Sequence, residues 1–135
     1  MEVIKIQNYL LYIVLAAIIV FLLYRELSFA LNKNVKSISA SEAFELIKTN
    51  KELALLDVRT KQEYASGHIS GSRSIPLNEF PLRINELKKF KEKPILVYCA
   101  GGSRSVSACR FLLKNGFTNL YNLKQGLKYW NYGLK

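Results

Sequence analysis

The chain has two cysteines among 135 residues, and one of them stands where a thiol could act as a nucleophile. In "YCAGGSRS", Tyr98 to Ser105, Cys99 follows the apolar run "PILVY" and precedes two glycines and an arginine. Gly101 and Gly102 can turn successive backbone N–H groups inward at little steric cost, and a helix starting at Ser103 would add the positive end of its dipole. The amides of Ala100, Gly101, Gly102, Ser103 and Arg104 would form an anion cradle, and the guanidinium of Arg104 would reinforce it. A thiolate at Cys99 is stabilised in such a field, which suits covalent catalysis. The stretch lacks the Gly-Lys-Ser/Thr ending of a nucleotide phosphate loop, so nucleotide binding has little support.

Other chemistry-bearing residues read more plainly. Asp57 and Arg59 close the run "LALLDV" and either brace loops beside the site as a charge-assisted pair or, for Arg59, lend a cation to an anionic substrate. His68 in "GHI" is the one histidine of the chain; it suits turn hydrogen bonds, and without a suitable cysteine pair it offers no zinc site. Cys109 shares a helical face with Val106, Leu112 and Leu113 and belongs to the core. Trp130 reads as packing. The expectation is therefore no metal and no organic cofactor.

These residues need elements to hold them. Ser39 and Glu42 form a capping-box pattern that opens a helix over "ASEAFELIKTN". Leu53–Val58 and "KPILVYC" are short continuous apolar runs of the kind found in strands buried on both faces. Between them "SGHISGSRSIPL" is turn-rich, and "NEFPLRINELKKF" predicts a helix around or after Pro81. "SRSVSACRFLLKNGF" predicts a helix stopped at Gly116, followed by the strand "TNLYNL" and a last short helix in "QGLKYWNYG". Alternating strands and helices of this length predict an α/β domain, a parallel sheet with helices on both faces. Ligands bind such sheets at the carboxyl ends of the strands, where Cys99 falls.

At this point the residues resemble the rhodanese-like sulfurtransferases. "LLDVRTKQEYASGHISGSRSIPL" is similar to the family's first signature, "VYCAGGSRS" to its active-site loop, and "GF" at Gly116 and Phe117 followed by "NLKQGLKYW" to its closing pattern. The resemblance covers nearly all of Ile38 to Trp130. It implies ping-pong sulfur transfer: Cys99 takes the outer sulfur of a donor such as thiosulfate and passes it, as a persulfide, to a thiol or cyanide. It also implies alanine where Ser72 stands and a glycine pair where Gln125 and Gly126 stand. Cysteine-dependent phosphatases place five residues between cysteine and arginine, whereas Cys99 and Arg104 enclose four, so sulfur transfer is the favoured reading. A tethered module that carries or senses sulfur without turnover is the alternative.

The amino-terminal segment is different. Ile6 to Tyr24 runs 19 residues without a charge between Lys5 and Arg25, close to the hydrocarbon thickness of a bilayer at about 1.5 Å per residue. It predicts a transmembrane anchor over residues 1–30, a linker over 31–37 and an α/β domain over 38–135. The rival reading is a cleaved signal peptide ending in "SFA", Ser28 to Ala30. The four charges before residue 31 cancel, so the net charge of +10 falls on Leu31 to Lys135. Those lysines and arginines are scattered without an aromatic-basic platform, which excludes a recognisable nucleic-acid reader; they favour anionic substrates and an anionic leaflet. Arg25, Lys33 and Lys36 after the apolar run, against Lys5 before it, place the domain on the cytoplasmic side.

Overall fold

The apolar run before Cys99 forms the centre of the domain. In the computed structural model, which describes residues 1–135 with Glu2 by its backbone alone, five strands lie in one sheet: β1 (Val35–Ile38), β2 (Ala54–Asp57), β3 (Arg73–Ser74), β4 (Ile95–Tyr98) and β5 (Leu120–Leu123). Their order is β1-β5-β4-β2-β3 and every pairing is parallel. All four residues of β4 are buried, as expected for a strand covered on both faces. Leu96 and Tyr98 point into a cluster with Leu55, Leu123 and Ala43 of α2 (Ala40–Thr49). By strand alternation Ile95, Val97 and Cys99 face the other side, against which α5 (Ser103–Lys114) packs. A parallel α/β sheet with helices on both faces is therefore what the chain forms.

Two helix starts next to the sheet carry capping boxes, the one at Ser39 as the sequence predicts. Ser39 and Glu42 satisfy each other's backbone N–H groups at α2, and Thr60 and Glu63 do the same at the short helix α3 (Lys61–Ala65).

Three expectations are corrected. Val35–Ser37, assigned to the linker, form the edge strand β1 together with Ile38, in register with Leu120–Leu123; only Val35 is buried and Lys36 and Ser37 face solvent, so an edge strand with polar residues carried no apolar signal. The helix expected in "NEFPLRINELKKF" is a single turn, α4 (Phe80–Arg83), followed by a 3-10 helix over Ile84–Phe90. Pro81 falls in the first turn, where its missing N–H is tolerated, and Ile84, Leu87 and Phe90 then recur every three residues, the period that aligns side chains on a 3-10 helix. The closing helix is a 3-10 turn over Gly126–Tyr129.

The amino-terminal unit, described by itself, is one helix, α1 (Glu2–Ala30), of 29 residues with mean hydropathy 2.3 over its most apolar stretch. It is long and apolar enough to cross a membrane.

Candidate active site

The hydrogen bonds around Cys99 follow from its place between β4 and α5. The first amides of an α-helix have no carbonyl of their own helix to donate to. In α5, Ser105 N–H points at Cys99 Sγ at 3.4 Å, and Gly102 N–H, one residue before the helix, donates to the same sulfur at 3.0 Å. Gly102 takes φ +105° to do so, a conformation that suits glycine. Ser105 completes the cradle, with Oγ 3.5 Å from Sγ and donating to the Gly102 carbonyl at 3.0 Å. Cys99 is fully covered, while Ala100, Gly101 and Ser103 are exposed around it.

The closing turn locks the loop from behind. Leu127 N–H donates to the Cys99 carbonyl at 3.0 Å, and the turn reaches that position through two consecutive left-handed residues, Gln125 (φ +62°) and Gly126 (φ +56°). Where the resemblance implied two glycines, the chain keeps the second.

Arg104 is paired with a carboxylate, Glu63. Its Nη1 and Nη2 meet Glu63 Oε2 and Oε1 at 2.7 and 2.9 Å, a bidentate pair that ties the first turn of α5 to α3 across 41 residues of sequence. Glu63 also accepts the Thr60 N–H at 2.9 Å. The Arg104 guanidinium and this N–H hold its carboxyl well down, from 4.5 to about 2. Because the folded-state value lies below the unfolded one, the pair's stabilising effect is complete above about pH 4.5 and is lost as pH falls towards 2. Glu63→Gln keeps an acceptor for the Thr60 N–H but removes the charge. Urea unfolding should show wild type more stable than this variant at pH 7 and the gap closing below pH 4.5; a gap independent of pH would remove the ionic contribution.

Asp57 and Arg59 form the expected buried pair. Arg59 donates from Nε to both carboxylate oxygens (3.0 Å each), from Nη2 to Oδ2 (2.6 Å) and to the Gly67 carbonyl (2.7 Å). With its side chain 8% exposed, Arg59 braces the turn at Gly67 and Asp57 occupies its charge. Beside it the Tyr98 hydroxyl accepts the Ile69 N–H at 3.1 Å and hydrogen-bonds Ser72 Oγ at 2.9 Å. The serine found where alanine was implied thus supplies a partner for a buried phenol, whose pKa burial pushes up.

The remaining residues stand as structure. His68 stacks on Tyr64 with ring centroids 3.7 Å apart and bonds the Tyr64 carbonyl through Nδ1. Cys109 is buried, and burial pushes its thiol up to about 12, so it is a poor nucleophile at neutral pH. Trp130 packs edge-on against Phe44. Among the described residues no group of three or more His, Cys, Asp or Glu could hold a metal. Sequence reasoning passed over Ser105, Glu63 as the partner of Arg104, and Gly126 as the residue against the Cys99 carbonyl. Only Glu63 had a local signal, the Thr60-x-x-Glu63 capping box.

A shallow cleft of about 310 Å³ lies at this edge, lined by Val58, Thr60, Pro76, Leu77, Asn78 and Arg104. Asp57 pairs with Tyr98 in register, so Val58, the next residue, stands beside Cys99. The arrangement presents a sulfur held by two amides next to a mostly apolar cleft with a cation at its rim.

Comparison with known proteins agrees with this geometry. The family model described as Rhodanese-like domain matches residues 39–132. The chain is 35% identical over 129 residues to the uncharacterized protein YqhL of Bacillus subtilis, covering 96% of this chain and 97% of that one, an alignment long enough to take in most of α1. It is 37% identical to the thiosulfate sulfurtransferase GlpE of Coxiella burnetii over 70% of this chain and 86% of that one. The crystal structure of a rhodanese-like domain protein from Staphylococcus aureus superposes with TM-score 0.67 at 32% identity, covering 74% of this chain and 96% of that one.

Proposed function

The chain belongs to the rhodanese-like family, and we propose that it is a sulfurtransferase anchored in the membrane by α1, carrying sulfane sulfur on Cys99. The observation that carries the reading is Cys99 Sγ accepting the N–H groups of Gly102 and Ser105 at 3.0 and 3.4 Å, a cradle suited to a thiolate and then to a persulfide anion. Relatives named as sulfurtransferases support it.

In the first half-reaction the Cys99 thiolate attacks the outer sulfur of thiosulfate. The sulfur–sulfur bond of the donor breaks, sulfite leaves with the electron pair, and Cys99 holds a persulfide. In the second, an acceptor thiolate or cyanide attacks the terminal sulfur and the Cys99 thiolate departs. Both steps are two-electron displacements and need no outside oxidant or reductant. The exposed amides of Ala100, Gly101 and Ser103, with Arg104, receive the donor's charge, Arg104 being shared with Glu63. Asp57 and Arg59 hold the neighbouring turn.

Intact-mass measurement of the full chain after thiosulfate treatment should show one added sulfur that a reductant removes. No added sulfur, or sulfur retained on Cys109, would refute the assignment. For the anchor, α1 is the span and the domain lies on the cytoplasmic side, following the excess of Arg25, Lys33 and Lys36 over Lys5. An alkaline wash should leave the protein in the membrane fraction, and release into the supernatant would count against the span.

A further inference from the structure

Because every strand is parallel, the domain has two chemically distinct edges. At the carboxyl edge lies Cys99. At the amino edge, Leu120 N–H donates to the Asn34 carbonyl, Ile95 N–H to Asn119 and Ala54 N–H to Pro94, at 2.9 to 3.0 Å, so Asn34, Pro94 and Asn119 lie along one side. The residues adjoining this seam are strongly basic. A cleft of about 530 Å³ there is lined by Lys88, Lys89, Lys91 and Lys93 with only Glu52 and Glu92 against them. All four lysines are exposed, as are Lys51 and Lys33, and the Lys93–Glu52 contact is long, at 3.9 Å. The carboxyl edge differs, since Asp57, Glu63 and Glu79 there pair with Arg59, Arg104 and Arg83.

We infer that this lysine-rich amino edge is a docking surface for anionic lipid headgroups, holding Cys99 away from the bilayer. The inference rests on α1 being a membrane span. Four residues, Leu31–Asn34, separate the end of α1 from the start of β1, a tether that fully extended spans about 14 Å. The chain enters the sheet at the lysine-rich edge, so that edge is the one on the tethered side of the domain. Cytoplasmic leaflets are negatively charged, and their attraction acts within about a Debye length, roughly 8 Å. Cys99 follows the four residues of β4, about 13 Å along the strand from the amino edge, and lies at the opposite edge beneath the exposed Ala100 and Gly101. A small anionic donor and an acceptor thiol then approach from solvent, outside the repulsive field of the leaflet.

The test uses the purified full chain in lipid nanodiscs, one set of phosphatidylcholine alone and one with roughly a third phosphatidylglycerol. An amine-acylating reagent followed by peptide mass spectrometry gives a modification rate for each lysine. In the anionic discs the rates at Lys88, Lys89, Lys91 and Lys93 should fall about fivefold or more and recover at about 0.5 M salt, where the Debye length is roughly 4 Å. Lys124 and Lys128, exposed just beyond the carboxyl end of β5, should change little. Equal rates in the two sets, with the chain still co-eluting with the discs, overturn the docking surface alone. Protection of Lys124 and Lys128 instead reverses it. A chain that co-elutes with neither set overturns the span, and the surface with it.

Discussion

Replacing Cys99 with serine is expected to lower thiosulfate:cyanide transfer by on the order of 10⁴-fold or more, the scale seen when a covalent nucleophile is removed. The serine oxygen can accept the same Gly102 and Ser105 N–H groups that Sγ accepts at 3.0 and 3.4 Å, so the loop keeps its shape while the chemistry stops: a hydroxyl is a weak nucleophile at neutral pH, and no persulfide forms on it. Cys109→Ala should retain transfer and the added sulfur mass, because that thiol is buried and held protonated, with its pKa at about 12. Loss of transfer in Cys109→Ala with Cys99→Ser unaffected would exchange the two roles. Matching denaturation midpoints for Cys99→Ser and wild type would show that the loss is chemical rather than structural.

The site was legible where the chemistry is local and unreadable where it depends on distant partners. An apolar run ending in Cys-Ala-Gly-Gly-Ser-Arg marks a strand, a turn and a helix start within ten residues, and β4 and α5 form there. Capping boxes at Ser39 and Thr60 are equally local, since their hydrogen bonds join residues three apart. The Arg104–Glu63 pair spans 41 positions, and nothing near Arg104 told that its charge is already matched. β1 was hidden for a different reason: an edge strand buries one face against one neighbour, and "VKSI" contributes a single buried side chain. The departures at Ser72 and Gln125 turned out to be local adjustments. Ser72 bonds the Tyr98 hydroxyl, and Gln125 adopts the left-handed conformation that a glycine would take more easily.

Gly126 is where the closing turn is least tolerant, and Gly126→Ala should destabilise the domain far more than an equivalent change elsewhere. Both Gly126 and Gly133 are left-handed, with φ of +56° and +81°, so alanine at either incurs about 1–2 kcal/mol of backbone strain. They differ in surroundings. A Cβ at Gly133 meets nothing within 4 Å, whereas one at Gly126 would lie against the Cys99 carbonyl oxygen and 2.7 Å from both the carbonyl carbon and oxygen of Ala100. Those are backbone atoms of the Cys99 loop, which no rotamer change can move aside. Either the turn withdraws, breaking the bond from Leu127 N–H to the Cys99 carbonyl, or the loop shifts and carries Cys99 with it. In denaturant unfolding Gly133→Ala should cost about 1–2 kcal/mol and Gly126→Ala roughly twice that or more. Transfer activity of any folded Gly126→Ala protein should fall about a hundredfold, since a displacement near 1 Å at a reacting group is enough for that loss. Equal cost and unchanged activity in the two variants would mean that the closing turn does not hold the Cys99 loop in place.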